Sequence, residues 1–180
     1  MKIISIERNN QVNGTGLRDV IWCAGCNHQC PNCHNKEAQN PNLGVELSSF
    51  HYDILKEDLQ REEIEGVTFS GGEATYPLNR EDATRLMAWI KSLCPHKTIW
   101  VYTGYLYEQI EDLEMMEYID VLIDGRYEQE KNPGPSILKW RGSSNQRVID
   151  VQETRKQNKI VWLKDFNGKT ILENELENQK

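Results

Sequence analysis

The 180-residue chain has no apolar run near the ~20 residues that a membrane-spanning helix needs. Positive charge is scarce as well. Twenty-one Lys and Arg stand against 28 Asp and Glu, a formal net charge of −7. A protein that neutralises phosphates needs the opposite balance, so nucleic-acid binding is not expected. Residues 1–16 lack the basic-then-apolar layout of a secretory leader, which makes the cytoplasm the expected location. Internal repeats, low-complexity tracts and long linkers are missing too. Disorder is excluded by five Trp, seven Tyr and a 38% hydrophobic content, enough for the core of one domain. Outside one place cysteine is nearly absent. Of five, only Cys94 stands apart, while Cys23, Cys26, Cys30 and Cys33 crowd into eleven residues. Cytosolic disulfides are rare, so this cluster points to metal or redox chemistry.

Hydrophobic patterning predicts short strands at Lys2–Ile6 and Val20–Cys23, separated by the turn-rich Asn9–Gly16. A helix is expected over Tyr52–Glu63 and a strand over Gly66–Ser70, ending in Gly71-Gly72. Arg80–Leu93 carries Ala83, Leu86, Met87 and Ile90 at helical spacing, with Asn79 as N-cap and Glu81 and Asp82 at the positive end. Strands are predicted at Thr98–Thr103 and Asp120–Asp124, with a helix over Leu106–Glu117 between them. Turn-rich Gly125–Ser136 follows, then a last strand at Arg147–Val151. Ile160–Leu163 and Thr170–Leu172 flank Asn167-Gly168 and predict a hairpin, before a frayed end at Glu173–Lys180.

Strands alternating with helices define an α/β fold with mostly parallel strands, buried on both faces. A complete eight-unit barrel takes ~250 residues, so a partial (β/α) barrel or an open sheet fits this length. In either form ligands gather at the carboxyl ends of the strands. The cysteine loop, Gly71-Gly72-Glu73 and Thr103-Gly104-Tyr105 all fall there. The expected division is a barrel domain over 1–150 and a C-terminal extension over 151–180.

Cys23-x2-Cys26 and Cys30-x2-Cys33 resemble two zinc knuckles, with His28 and His34 as spare ligands. Zinc ribbons, however, separate their knuckles by ~15–20 residues, and here three residues intervene. A loop that tight wraps an iron–sulfur cube more easily than a single ion, although the spacing differs from the bacterial ferredoxin order. Cys23 reads as a small apolar residue ending its strand, and Cys94 likewise. His28 reads as exposed.

Taken as Cys26-x3-Cys30-x2-Cys33, the cluster matches the signature of the radical S-adenosylmethionine superfamily. NGTGLR (Asn13–Arg18), GCNHQCPNCHNK (Gly25–Lys36), SGGE (Ser70–Glu73), CPHKTIWVYTGY (Cys94–Tyr105), DVLIDGRY (Asp120–Tyr127) and WRGSSNQ (Trp140–Gln146) occur in order. Together they resemble the activating proteins of anaerobic (class III) ribonucleoside-triphosphate reductases. The resemblance implies a 4Fe–4S cluster on Cys26, Cys30 and Cys33, with one iron open to S-adenosyl-L-methionine. It further implies contacts to that molecule from Asn32, Cys33 and His34 near adenine, and from Gly71, Gly72 and Glu73 near the methionine part. Tyr102–Tyr105 and Asp124 are expected to face the same cavity. The implied activity is an oxidoreductase that cleaves S-adenosylmethionine reductively and leaves a glycyl radical on the large reductase subunit, fed by an electron donor such as flavodoxin.

Two positions depart from the family pattern: His34 stands for the usual Tyr, and Ala74 for the usual Pro. Residues 151–180 extend past the resemblance. The competing functions are activation of another glycyl-radical enzyme of the formate-lyase type, a radical enzyme acting on a small molecule, and a non-catalytic zinc-binding interaction module. Trp140 and Arg141 are candidates for docking the partner. The competing reading has Trp140 plugging the bottom of the partial barrel and Arg141 capping a strand edge.

Overall fold

Central strands buried on both faces organise the computed structural model, which describes residues 1–134 and 138–177, around a seven-stranded sheet. Residues 135–136 of the turn-rich stretch and 178–180 of the expected frayed end lie outside the described residues. The strands are β1 Lys2–Asn10, β2 Leu17–Cys23, β3 Val45–Glu46, β4 Ile64–Gly71, β5 Thr98–Tyr102, β6 Val121–Asp124 and β7 Arg147–Asp150. Their spatial order is β3-β1-β2-β4-β5-β6-β7. The central pairings β2–β4, β4–β5 and β5–β6 are parallel, whereas β1–β2, β1–β3 and β6–β7 are antiparallel. The expectation of mostly parallel strands therefore holds for the middle alone. The sheet stays open, with β3 and β7 as its edges, rather than closing into a barrel.

Successive strand side chains point to opposite faces, so each central strand feeds two cores. Val67, Phe69, Ile99, Val101, Leu122 and Ile149 meet the helices α1 Ser49–Leu59 and α2 Arg80–Leu93 through Leu55, Leu59, Leu86, Met87 and Ile90. Trp100, Val121, Ile123 and Val148 occupy the other face and pack with Trp140, Trp162, Leu163 and Ile171. Arg18 is fully buried, beneath the Trp100 ring, and donates to Thr68 Oγ1, Thr98 Oγ1 and the carbonyls of Thr15, Val67 and Thr98.

Helix α2 has the expected bounds. Helix α1 begins three residues early because the Ser48 N–H donates to His51 Nδ1 at 3.1 Å across its first turn. The helix predicted over Leu106–Glu117 is instead a run of tight turns with 3-10 helices at Tyr107–Gln109 and Glu114–Glu117. Its apolar residues explain this: Tyr107, Ile110, Leu113 and Met116 recur every three residues. The backbone bonds do the same, Ile110 to Tyr107, Leu113 to Ile110 and Met116 to Leu113.

The C-terminal part also differs from expectation. Helix α3 Val151–Gln157 starts at Asp150, whose Oδ1 accepts from the Glu153 N–H at 2.9 Å, and stops at left-handed Asn158. Trp162 then bridges Ile149 of β7. The predicted hairpin is a short turn, bridged at Lys164 and Thr170 and tied by the Ile171 N–H to Leu163 O at 2.9 Å. It leads into α4 Ile171–Glu177, a helix where a frayed end was expected from Glu173. Pairing with β7 lets Trp162, Leu163 and Ile171 cover the second face, which a free hairpin would leave wet.

Candidate functional site

The site is assembled by backbone. Past β2, the Gly25 N–H donates to Ala38 O at 2.7 Å and the Cys26 N–H to Gln39 O at 3.2 Å, folding the cysteine loop back on the 3-10 turn Lys36–Gln39. Past β4, the Gly72 N–H donates to Cys23 O at 2.8 Å and the Glu73 N–H to Gly25 O at 2.9 Å. Gly72 has no room for a side chain, because a Cβ there would lie 2.6–2.9 Å from the carbonyl oxygens of Gly25, Ala38 and Cys23. Asn79 does not cap α2 with its side chain. Its amide instead donates to Ala24 O and Glu73 O at 2.8 and 2.9 Å, tying the two loops together.

This zipper brings Cys26, Cys30, Cys33, His34, Gly71, Gly72 and Glu73 onto one cavity at the carboxyl end of the parallel strands. Tyr102, Thr103 and Gly104 line it, but Tyr105, Asn32 and Asp124, expected there as well, do not. Asn32 is exposed, in a left-handed turn conformation at φ 54°. Asp124 is buried, and its carboxylate is taken up by the Tyr107 N–H at 2.8 Å and by Arg147. It shapes the loop after β5 rather than facing the cavity.

All three cavity cysteines are partly exposed and free. Burial pushes the Cys26 thiol up to about 11 and raises Cys30 as well. Cys23 is fully buried, pushed up to about 12 by burial, and lies off the cavity. Among the described residues no three His, Cys, Asp or Glu side chains gather closely enough for a single metal ion. Three thiols spread around one cavity suit a cluster instead, in which each thiolate binds its own corner iron.

Glu73 is 1% exposed and fully engaged. Oε1 accepts from the N–H and hydroxyl of Thr75 at 3.1 and 2.7 Å. Oε2 accepts from the Gly104 N–H at 2.7 Å and from His28 Nε2 at 3.0 Å. Its lone pairs are filled within the protein, so a ligand ammonium would meet the carboxylate's charge rather than an unclaimed lone pair. His28, expected to be exposed, is buried with its ring edge-on to Tyr105, the centroids 4.4 Å apart. Nothing in the local sequence signals this. Its place depends on Gly104, where a Cβ would fall 2.4 Å from the imidazole.

In WRGSSNQ the structure favours the packing alternative. The Trp140 and Trp100 rings meet edge-on at 4.8 Å. The Arg141 guanidinium is buried, ion-paired with Glu175 and donating to the carbonyls of Ser144 and Gln146 at 2.7 Å.

Residues 12–149 match the family model described as a 4Fe-4S single cluster domain. The anaerobic ribonucleoside-triphosphate reductase-activating protein of Enterobacteria phage T4 is 42% identical over 137 residues, 76% of this chain and 86% of the relative. The proteins of that name from Escherichia coli K12 and Haemophilus influenzae are each 38% identical over 141 residues, covering 76% of this chain and 90% of the relative. With a cysteine cavity at the strand ends and a match over most of its length, the chain belongs to the 4Fe-4S single cluster family of anaerobic ribonucleoside-triphosphate reductase-activating proteins.

Proposed function

We propose that this protein activates an anaerobic ribonucleoside-triphosphate reductase by forming a glycyl radical on its large subunit. The observation that carries the reading is the meeting of Cys26, Cys30 and Cys33 with the Gly71–Glu73 loop on one strand-end cavity. The three thiols would hold a 4Fe–4S cluster, which with bound S-adenosylmethionine supplies a 5′-deoxyadenosyl radical that takes a hydrogen atom from the partner's glycine. The chain's own part is to bind, orient and exclude water. Gly71 and Gly72 bring bare backbone to the methionine part, and Glu73 offers negative charge to its ammonium. His34, with Asn32 and Cys33 beside it, borders the adenine. Residues 1–150 form the catalytic unit and 151–180 an extension, with electrons arriving from a donor such as flavodoxin. No described helix is long and apolar enough to cross a membrane.

Anaerobic reconstitution with iron, sulfide, dithionite and S-adenosylmethionine should yield 5′-deoxyadenosine, and adding the reductase should give a glycyl-radical resonance on the large subunit. Ala at Cys26, Cys30 or Cys33 should abolish stable cluster binding, read as iron and sulfide per chain. Cys23→Ala should keep it. Zinc without iron would sink the enzyme reading, and radical formation only on a formate lyase would reassign the partner.

A further inference from the structure

The parallel seam between β4 and β5 ends in two hydroxyls. Phe69 and Val101 are register partners, so the residues that follow them, Ser70 and Tyr102, stand side by side. Strand alternation puts both on the face opposite Phe69 and Val101, and Tyr102 packs there against the second core. Both residues line the cysteine cavity. Neither hydroxyl has a hydrogen-bond partner among the described residues, and neither is sealed from solvent. Each is therefore free to bind a ligand.

Most other polar groups on the wall are occupied. Thr103 Oγ1 is taken by Thr75 and the Tyr105 N–H, Tyr127 Oη by Gln129 and Asn132, and the Gln146 amide by Gly125 and Gly142. The Asn35 and Gln39 amides lack partners as well, but they sit at the two ends of the turn after the cysteine loop. Ser70 and Tyr102 are held by the sheet, which fixes donors more closely than a loop does. Among the described residues no Lys or Arg lines the cavity, and Glu73 brings negative charge to it. An anionic group entering there meets no basic side chain, so it needs neutral donors to replace the water it gives up. Burial pushes the Tyr102 phenol above its ordinary range, so it keeps the hydrogen that it would donate.

We infer that Ser70 and Tyr102 bind the carboxylate of an amino-acid ligand, donating to it as neutral hydroxyls where the cavity offers no basic side chain. The inference rests on the proposed function, in which the ligand is S-adenosylmethionine and its methionine part lies along Gly71 and Gly72. Ser70 directly precedes Gly71, and Tyr102 is its neighbour across the seam. The same reading puts the adenine at His34, on the cysteine loop. The ribose hydroxyls are the rival partners. A carboxylate gains more from the two donors, because a hydrogen bond to a charged acceptor is roughly twice as strong as one between neutral groups.

The test is equilibrium dialysis of the full chain, its cluster reconstituted anaerobically, against two probes. S-adenosylmethionine carries the carboxylate. Decarboxylated S-adenosylmethionine lacks it and keeps the ammonium, sulfonium, ribose and adenine. Ser70→Ala and Tyr102→Phe each remove one hydroxyl and little else. Each is expected to raise the Kd for S-adenosylmethionine roughly tenfold and to leave that for the decarboxylated probe within about twofold. Equal weakening of both probes would assign the hydroxyls to the ribose or to the fold, and unchanged binding of both would show them idle; either overturns the inference. Iron per chain, measured on the same samples, is expected to match the wild type. A variant that loses iron would mark its hydroxyl as a support of the cysteine loop and overturn its assignment to the ligand. A wild-type chain that binds neither probe would overturn the S-adenosylmethionine reading itself, and this inference with it. A wild-type chain that binds both equally would leave that reading standing and overturn the carboxylate assignment alone.

Discussion

At the scale of single residues, the carboxyl groups of Asp19 and Asp58 show how burial sets charge away from the site. Both are fully buried. Asp19 accepts from the Asn9 N–H at 3.2 Å through Oδ1, while Oδ2 has no donor. Burial first, and a hydrogen bond with Asp58 second, push Asp19 up to about 7. Asp58 goes the other way. Burial opposes its ionisation, but hydrogen bonds from Arg8, Asp19 and Arg61 outweigh it and hold it below the ordinary carboxylate range. Between that range and about pH 7 the folded chain thus keeps a proton on Asp19 that the unfolded chain has released. The unfolded state binds fewer protons, so this group's contribution to stability falls as pH rises through the window. Asn mimics the protonated form. Asp19→Asn should therefore flatten the decline between about pH 4 and about pH 7 and gain on the order of 1 kcal/mol at the upper end, read from urea midpoints. Parallel wild-type and variant curves would rule the account out.

At the scale of elements, the loops after β2 and β4 act as one unit because glycine lets their backbones touch. Gly66 and Gly72 are both too crowded for a Cβ, in different places. At Gly66 it would lie 1.9 Å from Thr98 O, inside the β4–β5 seam, and at Gly72 it would press on three carbonyls of the cysteine loop and its neighbour. Overpacking a seam costs about 1–3 kcal/mol, or more against rigid backbone. Gly66→Ala should lower the urea midpoint of the whole sheet. Gly72→Ala should keep the far-ultraviolet circular dichroism of the wild type while iron bound after reconstitution drops severalfold. If Gly72→Ala binds a full complement of iron, the loop junction does not set the cysteine positions.

At the scale of the whole molecule, the segment from Trp140 to α4 completes the second face of the sheet. Its polar centre is the buried pair Arg141–Glu175, and its apolar part is Trp162, Leu163 and Ile171 on Trp100, Val121, Ile123 and Val148. The 4Fe-4S family match ends at residue 149, so Glu175, which holds Arg141, lies beyond it. Removing one partner of a buried ion pair leaves an uncompensated charge and costs about 3–5 kcal/mol. Arg141→Ala is therefore expected to lower the thermal midpoint and, with it, iron content, S-adenosylmethionine cleavage and radical yield together. Normal stability with a selective loss of radical yield would return Arg141 to the partner interface.

Local chemistry was enough for much of this protein. The i, i+3, i+4 spacing in Arg80–Leu93 makes a helix wherever it is placed, and unbroken apolar runs make Thr98–Tyr102 and Val121–Asp124 central strands. Four cysteines in eleven residues announce metal or redox chemistry without any fold. The spacing of Tyr107, Ile110, Leu113 and Met116 by threes was present in the sequence as well, and marks the tight turns that a helical reading passes over. Other features depend on contacts between residues far apart in the chain. His28 and Glu73 are 45 residues apart, Arg141 and Glu175 are 34, and Asn79 and Ala24 are 55. No local pattern encodes such pairs, because each of these polar side chains alone reads as a surface residue and the Ala24 carbonyl carries no sequence signal at all. Only the sheet, by bringing its loops to one edge and closing its second face with the C-terminal segment, removes water from these groups and leaves them one another as partners.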